Sequence, residues 1–354
     1  MKQIPVILFG AGGVGRALVR QIVNGRTCTK IRNNCYFQIV AIADSKTFAW
    51  QPKGFTDQQL LDMMAAKEAG KPISNSQRPL PADIINKAHQ ANIQHAIVVD
   101  VTAQDGLEPM IDRALACGYG IALANKKLFA GPWHTAQTYF NHPQIRHEST
   151  VGGGQPVIAT LRTLLDTNDT IYRIEGQLSG TLGYLCQQLD AETAFSKAIA
   201  TAKAKGYTEP DPREDLGGMD VMRKVLILGR MAGWPLAAEE IEVESLYPAT
   251  MAQLPLADFM TRIAEVDKAM SRRWAQAREK GEVLRYVATL EKGYGRVGLT
   301  AVPANSPLAN MKYVSFQTER YNDEPLLIGG KGAGVEMTAA GVIGDMLDLV
   351  RELF

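Results

Sequence analysis

The stretch IPVILFGAGGVG, residues 4–15, decides the reading of the whole chain. Ile4–Phe9 is an apolar run of strand length, and glycines at 10, 12, 13 and 15 follow before helical spacing starts near Val14. Such a turn gives each glycine a task. Gly10 makes the tight turn, Gly12 lets a pyrophosphate approach the backbone, and Gly15 allows the helix to lie close to the strand. The N-terminus of the helix then offers unpaired N–H groups to the phosphates. Gly10, Gly12, Gly13, Val14 and Gly15 are therefore the candidate cofactor contacts. A GxGxxG run is a weak signal alone and a firm one directly after an N-terminal strand.

Outward from this turn, Phe37–Ala43 (FQIVAIA), Ala96–Val101 (AIVVDV) and Gly120–Ala124 read as further strands, with helices at 14–23 and 106–117. Strands alternating with helices predict a parallel sheet covered on both faces. Residues 50–80 are polar and rich in breakers, which predicts an excursion outside the core. Asp44 closes the second strand, 29 positions after Gly15 rather than the usual ~20. The surplus is TCTKIRNNCY at 27–36, read as a lengthened connection. Asp44 on the ribose hydroxyls favours NAD, whereas Lys46 beside a 2′-phosphate favours NADP; an Asp44 that merely caps a turn favours neither.

Near residue 150 the texture changes. GGGQP at 152–156 marks a boundary, dividing the chain into 1–150 and a second region from 151. The second region is expected to hold helices at 157–165, 192–205 and 217–232 and strands at 171–178, 283–290 and 297–301. A last helix is expected at 338–353. Its richest segment is GYTEPDPREDLGGMDVMRK at 206–224. Two prolines within three residues force an extended loop. The helix after Gly218 sets Asp220 and Lys224 at i and i+4 on one face. Val221, Val225 and Leu228 mark that helix as mostly buried, where a carboxylate–ammonium pair is costly unless it has a function; a solvated ion pair is the plainer alternative. Lys126 and Lys127 follow the fourth strand at the edge where open parallel sheets bind ligands, although adjacent lysines are also common surface charge.

Composition sets bounds on these readings. The 354 residues suffice for two domains, and 38 Lys+Arg against 37 Asp+Glu leave a formal charge of +1. Phosphate neutralisation needs a basic surplus, so a nucleic-acid partner is not expected. No apolar run approaches the roughly 20 residues of a membrane span. Cys28, Cys35, Cys117 and Cys186 form no CxxC pair, which suits a reducing compartment and predicts a cytoplasmic protein. The five histidines show no ligand spacing, which disfavours a zinc mechanism.

On these residues the chain resembles the homoserine dehydrogenases. The resemblance runs through GAGGVG (10–15), VVDVTA (98–103), ANKK (124–127), HESTVGGGQPVI (147–158), LSGTLGYL (178–185), the 206–224 segment and GAGVEMTAAGVIGDML (332–347). It implies NAD- or NADP-dependent interconversion of L-homoserine and L-aspartate 4-semialdehyde in threonine and methionine biosynthesis. The implied fold is α/β: a Rossmann-type nucleotide-binding domain, 1–150, completed by the C-terminal helix at 332–354, and an α+β catalytic and dimerisation domain, 151–331. Neither an aspartokinase nor an ACT domain is expected within the chain. Lys224 resembles the acid/base lysine and Lys126 a second lysine near nicotinamide and substrate. Glu209 and Asp220 resemble ligands of the substrate ammonium and hydroxyl, with Gly180, Thr181, Tyr207 and Asp215 lining the same pocket. Thr102 and Gly334 resemble further cofactor contacts. Glu148, Val151, Gly153 and Gln155 fall where the family holds a monovalent cation, Na or K, mostly through carbonyl oxygens. A homodimer is implied.

The chemistry suits these residues. Hydride transfer to an aldehyde develops alkoxide charge, and a lysine supplies both a cation and a proton. Two other readings compete. A semialdehyde dehydrogenase needs a nucleophilic cysteine, and Cys186, in GYLCQQL, has no evident base. A nucleotide-sensing protein without catalysis has no need of Lys224, Lys126 and Asp220, all of which are present.

Overall fold

The apolar opening run forms strand β1 (Lys2–Phe9), fully buried from Val6 to Phe9. After it come β2 (Cys35–Ala43), β3 (Phe48–Trp50), β4 (Ile97–Asp100), β5 (Gly120–Leu123) and β6 (Ile145–Arg146). In the computed structural model, which describes residues 1–354, these strands make one sheet ordered β3-β2-β1-β4-β5-β6. All neighbours pair parallel except the edge pair β2–β3. Near-continuous apolar strands are what a sheet covered on both faces requires. The helix Gly13–Asn33 adds Leu18 and Ile22 to the core around Ile4, Val6 and Leu8, and the helix Val335–Leu353 adds Val342, Met346 and Leu349. One compact unit thus comprises Met1–Ile158 with Ala333–Phe354.

Two sequence expectations need correction here. The surplus at 27–36, read as a lengthened connection after a helix ending at 23, is helix and strand: the first helix runs on to Asn33, and β2 starts at Cys35. No proline interrupts it, and it stops where Asn34 takes the left-handed conformation (φ 50°) that asparagine tolerates. Nor do residues 50–80 lie wholly outside the core. Asp57–Glu68 is a helix opened by a capping box between Thr56 and Gln59, and its Leu60 and Met64 are buried in the main core. The T-x-x-Q signature of that box is present in the sequence. The rest of the excursion folds back onto the turn after β2, through Phe48 N–H to the Ser76 carbonyl (3.0 Å) and Arg78 N–H to the Lys46 carbonyl (2.9 Å).

The second unit, Ala159–Gly332, is built on β7 (Ile171–Gly176), β8 (Ile241–Val243), β9 (Glu282–Glu291), β10 (Tyr294–Pro303), β11 (Tyr313–Thr318) and β12 (Leu326–Gly329). Their order is β12-β11-β7-β9-β10-β8, antiparallel throughout except for β8 against β10. The hairpin of β9 and β10 pairs from Glu282↔Pro303 to Glu291↔Tyr294 and turns at Gly293 (φ +77°). The helices Gly180–Asp190 and Met219–Met231 pack on β9. The second of them buries Val221, Val225 and Leu228, the face read from its spacing.

Candidate functional site

In the first unit the chain leaves β1 through Gly10 at φ +109°, a conformation open mainly to glycine. Gly12 caps the helix Gly13–Asn33, and a Cβ added there would meet no atom within 4 Å. The backbone N–H groups of the first turn, which has no acidic side chain, therefore stand behind open space. A phosphate group fits that cradle. Gly15 differs: a Cβ there would lie 1.9 Å from the Gly10 carbonyl oxygen, so this glycine seals helix to turn. A Cβ on Gly13 would touch Val335 at 3.2 Å, which brings Gly334 (φ +112°) beside the turn.

The ends of β4 and β5 are stitched by one buried carboxylate. Asp100, 1% exposed, accepts the Thr102 N–H (2.9 Å) on Oδ1 and the Asn125 side-chain amide (2.9 Å) on Oδ2. Asn125 also donates to the Gln104 carbonyl (2.8 Å) and accepts the Lys127 N–H (3.0 Å). The backbone of Lys126, between these two, is fixed in this way, directly before the short helix Lys127–Ala130. Lys127 itself pairs with the exposed Asp105 (2.9 Å). Burial pushes the Asp100 carboxyl above its ordinary range, against the pull of Thr102 and Asn125. Asp100 closes VVD as Asp44 closes AIAD, so an acidic residue at a second strand end was legible; the bonds of Asn125 were not.

Asp44 is 5% exposed and fully engaged within the chain. Its Oδ1 accepts the N–H groups of Lys46 (2.8 Å) and Thr47 (2.6 Å), and Oδ2 accepts the Lys67 ammonium (2.6 Å). Burial raises its pKa, but Lys67 and the two backbone donors outweigh burial and bring it down to about 2. It caps the turn after β2. Lys67 reaches it from 23 residues along the chain, a partner no local pattern shows.

The loop after β6 carries the residues suggested for a cation. Gly152 (φ +81°) and Gly153 (φ +63°) turn the backbone left-handed beside the buried Val151. Glu148 gives its N–H to Asp345 Oδ2 (2.9 Å) and accepts the Ile158 N–H on Oε1 (2.7 Å). The Gln155 N–H bonds the Gly152 carbonyl (3.0 Å). No three or more His, Cys, Asp or Glu gather anywhere to hold a metal ion.

The second unit brings the remaining residues together. Ser179 caps the helix Gly180–Asp190 by accepting the Leu182 N–H, placing Gly180 and Thr181 at its start. Thr181 Oγ1 donates to the Tyr207 carbonyl (2.6 Å), and Asp215 Oδ2 accepts the Glu209 N–H (2.8 Å). These two bonds hold the proline loop against the helix start. Burial pushes the Asp215 carboxyl up, and the charges of Asp220 and Glu214 add to that. Gly218 (φ +72°) opens the next helix with no room for a side chain, since a Cβ would lie 2.1 Å from Tyr286 Oη. Lys224, 12% exposed, donates to the Leu178 carbonyl (2.7 Å) and pairs with Asp220 (2.7 Å), itself 47% exposed. One ammonium is thus tied to the loop at 178–181 and to Asp220, whose charge in turn reaches Asp215. Its companion carboxylate is half open, so the pair lies between the buried and the solvated alternatives that the sequence left open. Lys312, which sequence reading missed, donates to the Gly180 carbonyl (3.4 Å).

Two family profiles match this chain. A family profile described as homoserine dehydrogenase matches residues 156–347, and one described as the homoserine dehydrogenase NAD-binding domain matches residues 10–144. A homoserine dehydrogenase of Emericella nidulans is 33% identical over 98% of this chain and 98% of its own length. A chloroplastic bifunctional aspartokinase/homoserine dehydrogenase 2 of Zea mays is 36% identical over 99% of this chain. The chain spans about two fifths of the length of such bifunctional relatives (39% of the maize protein). Among solved structures, a hyperthermophilic archaeal homoserine dehydrogenase in complex with NADPH superposes with a TM-score of 0.74 at 23% identity, covering 99% of this chain and 100% of its own. That likeness is one of fold.

Proposed function

Because this chain belongs to the homoserine dehydrogenase family, we propose that it interconverts L-homoserine and L-aspartate 4-semialdehyde with NAD or NADP, as a step of threonine and methionine biosynthesis. The observation that carries this reading is the setting of Lys224. Its ammonium is held by the Leu178 carbonyl and Asp220, within the cluster that Thr181, Tyr207, Glu209 and Asp215 build. When bound in the Gly10–Gly15 cradle, with Thr102, Gly334 and Asp44 or Lys46 as further contacts, the nicotinamide cofactor supplies the hydride acceptor. Once it has given a proton to solvent, the neutral Lys224 amine accepts the proton of the homoserine hydroxyl as hydride leaves for the cofactor; in reverse, its ammonium stabilises the developing alkoxide and returns the proton. Lys126 adds a second positive charge for the reacting oxygen. Glu209 and Asp220 bind the substrate ammonium and hydroxyl through charge-assisted hydrogen bonds.

Glu209 offers the direct test of the substrate. It lies between Thr208 and Pro210, and proline fixes the backbone that presents it. Glu209→Gln is expected to raise the KM for homoserine by roughly 10–100-fold, the weakening of one charged hydrogen bond worth about 1.5–3 kcal/mol. The KM for the cofactor should hardly move. A variant whose kcat falls while its homoserine KM is unchanged would assign Glu209 to the transition state instead.

We place a monovalent cation at the loop of Glu148, Val151, Gly153 and Gln155, on the resemblance of HESTVGGGQPVI to the family's segment; carbonyl oxygens suit a hard, singly charged ion. No helix is long and apolar enough to cross a membrane. With all four cysteines free, the cytoplasm is the compartment that fits. The second unit's sheet carries the exposed Tyr172, Tyr294 and Leu327 on β7, β10 and β12, which supports a homodimer formed through this region. Sedimentation at micromolar concentration should report twice the 38.6 kDa of one chain; a single 38.6 kDa species would count against the dimer.

A further inference from the structure

The excursion that the sequence left unexplained ends beside the acidic turn after β2. Thr47 and Gln77 form an isolated antiparallel bridge, and the Arg78 N–H bonds the Lys46 carbonyl (2.9 Å). The Arg78 side chain is thereby set over the C-terminal ends of β2 and β4. Its guanidinium feels the charges of Asp44 and Asp100, yet it makes no hydrogen bond to either, and its Nε and Nη2 are buried without any partner. Buried N–H donors without an acceptor are costly, more so on a charged group, and each needs an explanation.

The charges around it point one way. Asp44 has both carboxylate oxygens occupied by Lys46 N–H, Thr47 N–H and the Lys67 ammonium. Asp100 is held by Thr102 and Asn125. A free carboxylate that accepts both ribose hydroxyls is therefore missing at the end of β2, while the Lys67 ammonium and the Arg78 guanidinium lie beside Asp44 and the exposed Lys46 stands in the turn that follows it. An arginine with unspent planar donors matches a phosphate dianion better than a neutral diol.

We propose that Arg78, supported by Lys46, is the residue that selects a cofactor carrying a 2′-phosphate on its adenosine ribose. The proposal rests on the nicotinamide-cofactor reading above and deepens it: the adenosine end of the site is built for NADP rather than NAD. Arg78 acts on binding alone and takes no part in the reaction at the nicotinamide.

Calorimetric titration with 2′,5′-ADP and with 5′-AMP separates this role from catalysis, since neither ligand needs homoserine. The unmodified protein is expected to bind 2′,5′-ADP about 10–100-fold more tightly than 5′-AMP. Arg78→Gln should remove most of that preference while leaving 5′-AMP binding within about twofold, and should lower kcat/KM for NADP and not for NAD. Arg78→Lys, which keeps the charge and loses the planar fork, should retain an intermediate preference and serves if the glutamine variant does not fold. Equal affinity for the two ligands in the unmodified protein, or an equal loss for both in the variants, would overturn the proposal. Loss of homoserine turnover as the function would leave these titrations unchanged, so the two failures are distinguishable.

Discussion

Replacing Lys224 with alanine is expected to lower kcat by about 10²–10⁴-fold, the usual contribution of general acid–base catalysis. The fold should survive the change. Lys224 lies on a helix whose packing depends on Val221, Val225 and Leu228, and its own bonds go to one carbonyl and one half-open carboxylate. Cofactor affinity, which depends on the glycine turn of the other unit, should be unchanged. Lys224→Arg keeps the bond to Leu178 and a positive charge but releases a proton poorly, so it should restore stability and not turnover. A Lys224→Ala protein with near-normal kcat would remove the lysine from the chemistry. The same series distinguishes a solvated ion pair, whose loss is worth only a few tenths of a kcal/mol, from a catalytic one.

The second large effect is expected at the glycine turn, where two glycines in one motif should fail differently. Gly15→Ala places a methyl 1.9 Å from a backbone oxygen, and backbone cannot swing aside as a side chain can. A cost of about 3 kcal/mol or more is expected, visible as a lowered Tm together with loss of cofactor binding by about 100-fold or more. Gly12→Ala meets nothing within 4 Å, so its Tm should match that of the unmodified protein. Its added methyl nonetheless fills the approach to the helix N-terminus, and cofactor affinity should fall. Differential scanning calorimetry and fluorescence titration of the reduced cofactor read both quantities. If Gly12→Ala binds cofactor normally, the open space in front of that residue is not where the pyrophosphate lies.

The parts of this protein that were legible in its sequence are those with local causes. The strand–glycine–helix start, the alternation of β2, β4 and β5 with helices, and the i, i+4 placement of Asp220 and Lys224 each follow from periodicity or backbone sterics over a few residues. The misreadings share one cause as well. The helix extension over 27–33 and the core helix 57–68 lie in polar sequence, where tertiary burial of a few residues such as Leu60 and Met64 decides the outcome. Polar composition hid them, although the Thr56–Gln59 box marked one helix start. Site residues divided in the same way. Glu209 and Asp215 stand in one motif, whereas Lys67, Arg78 and Lys312 act on positions tens of residues away. Contacts of that range depend on how the strands order themselves in the sheet, which no window of sequence contains.

The central claim is tested most directly by mixing the purified protein with L-homoserine and either NADP⁺ or NAD⁺ and following absorbance of the reduced cofactor. The account predicts reduction that requires homoserine, reverses when aspartate semialdehyde is supplied with reduced cofactor, and is unaffected by a zinc chelator. No homoserine-dependent reduction with either cofactor, from protein that still binds the reduced nicotinamide nucleotide, would contradict it.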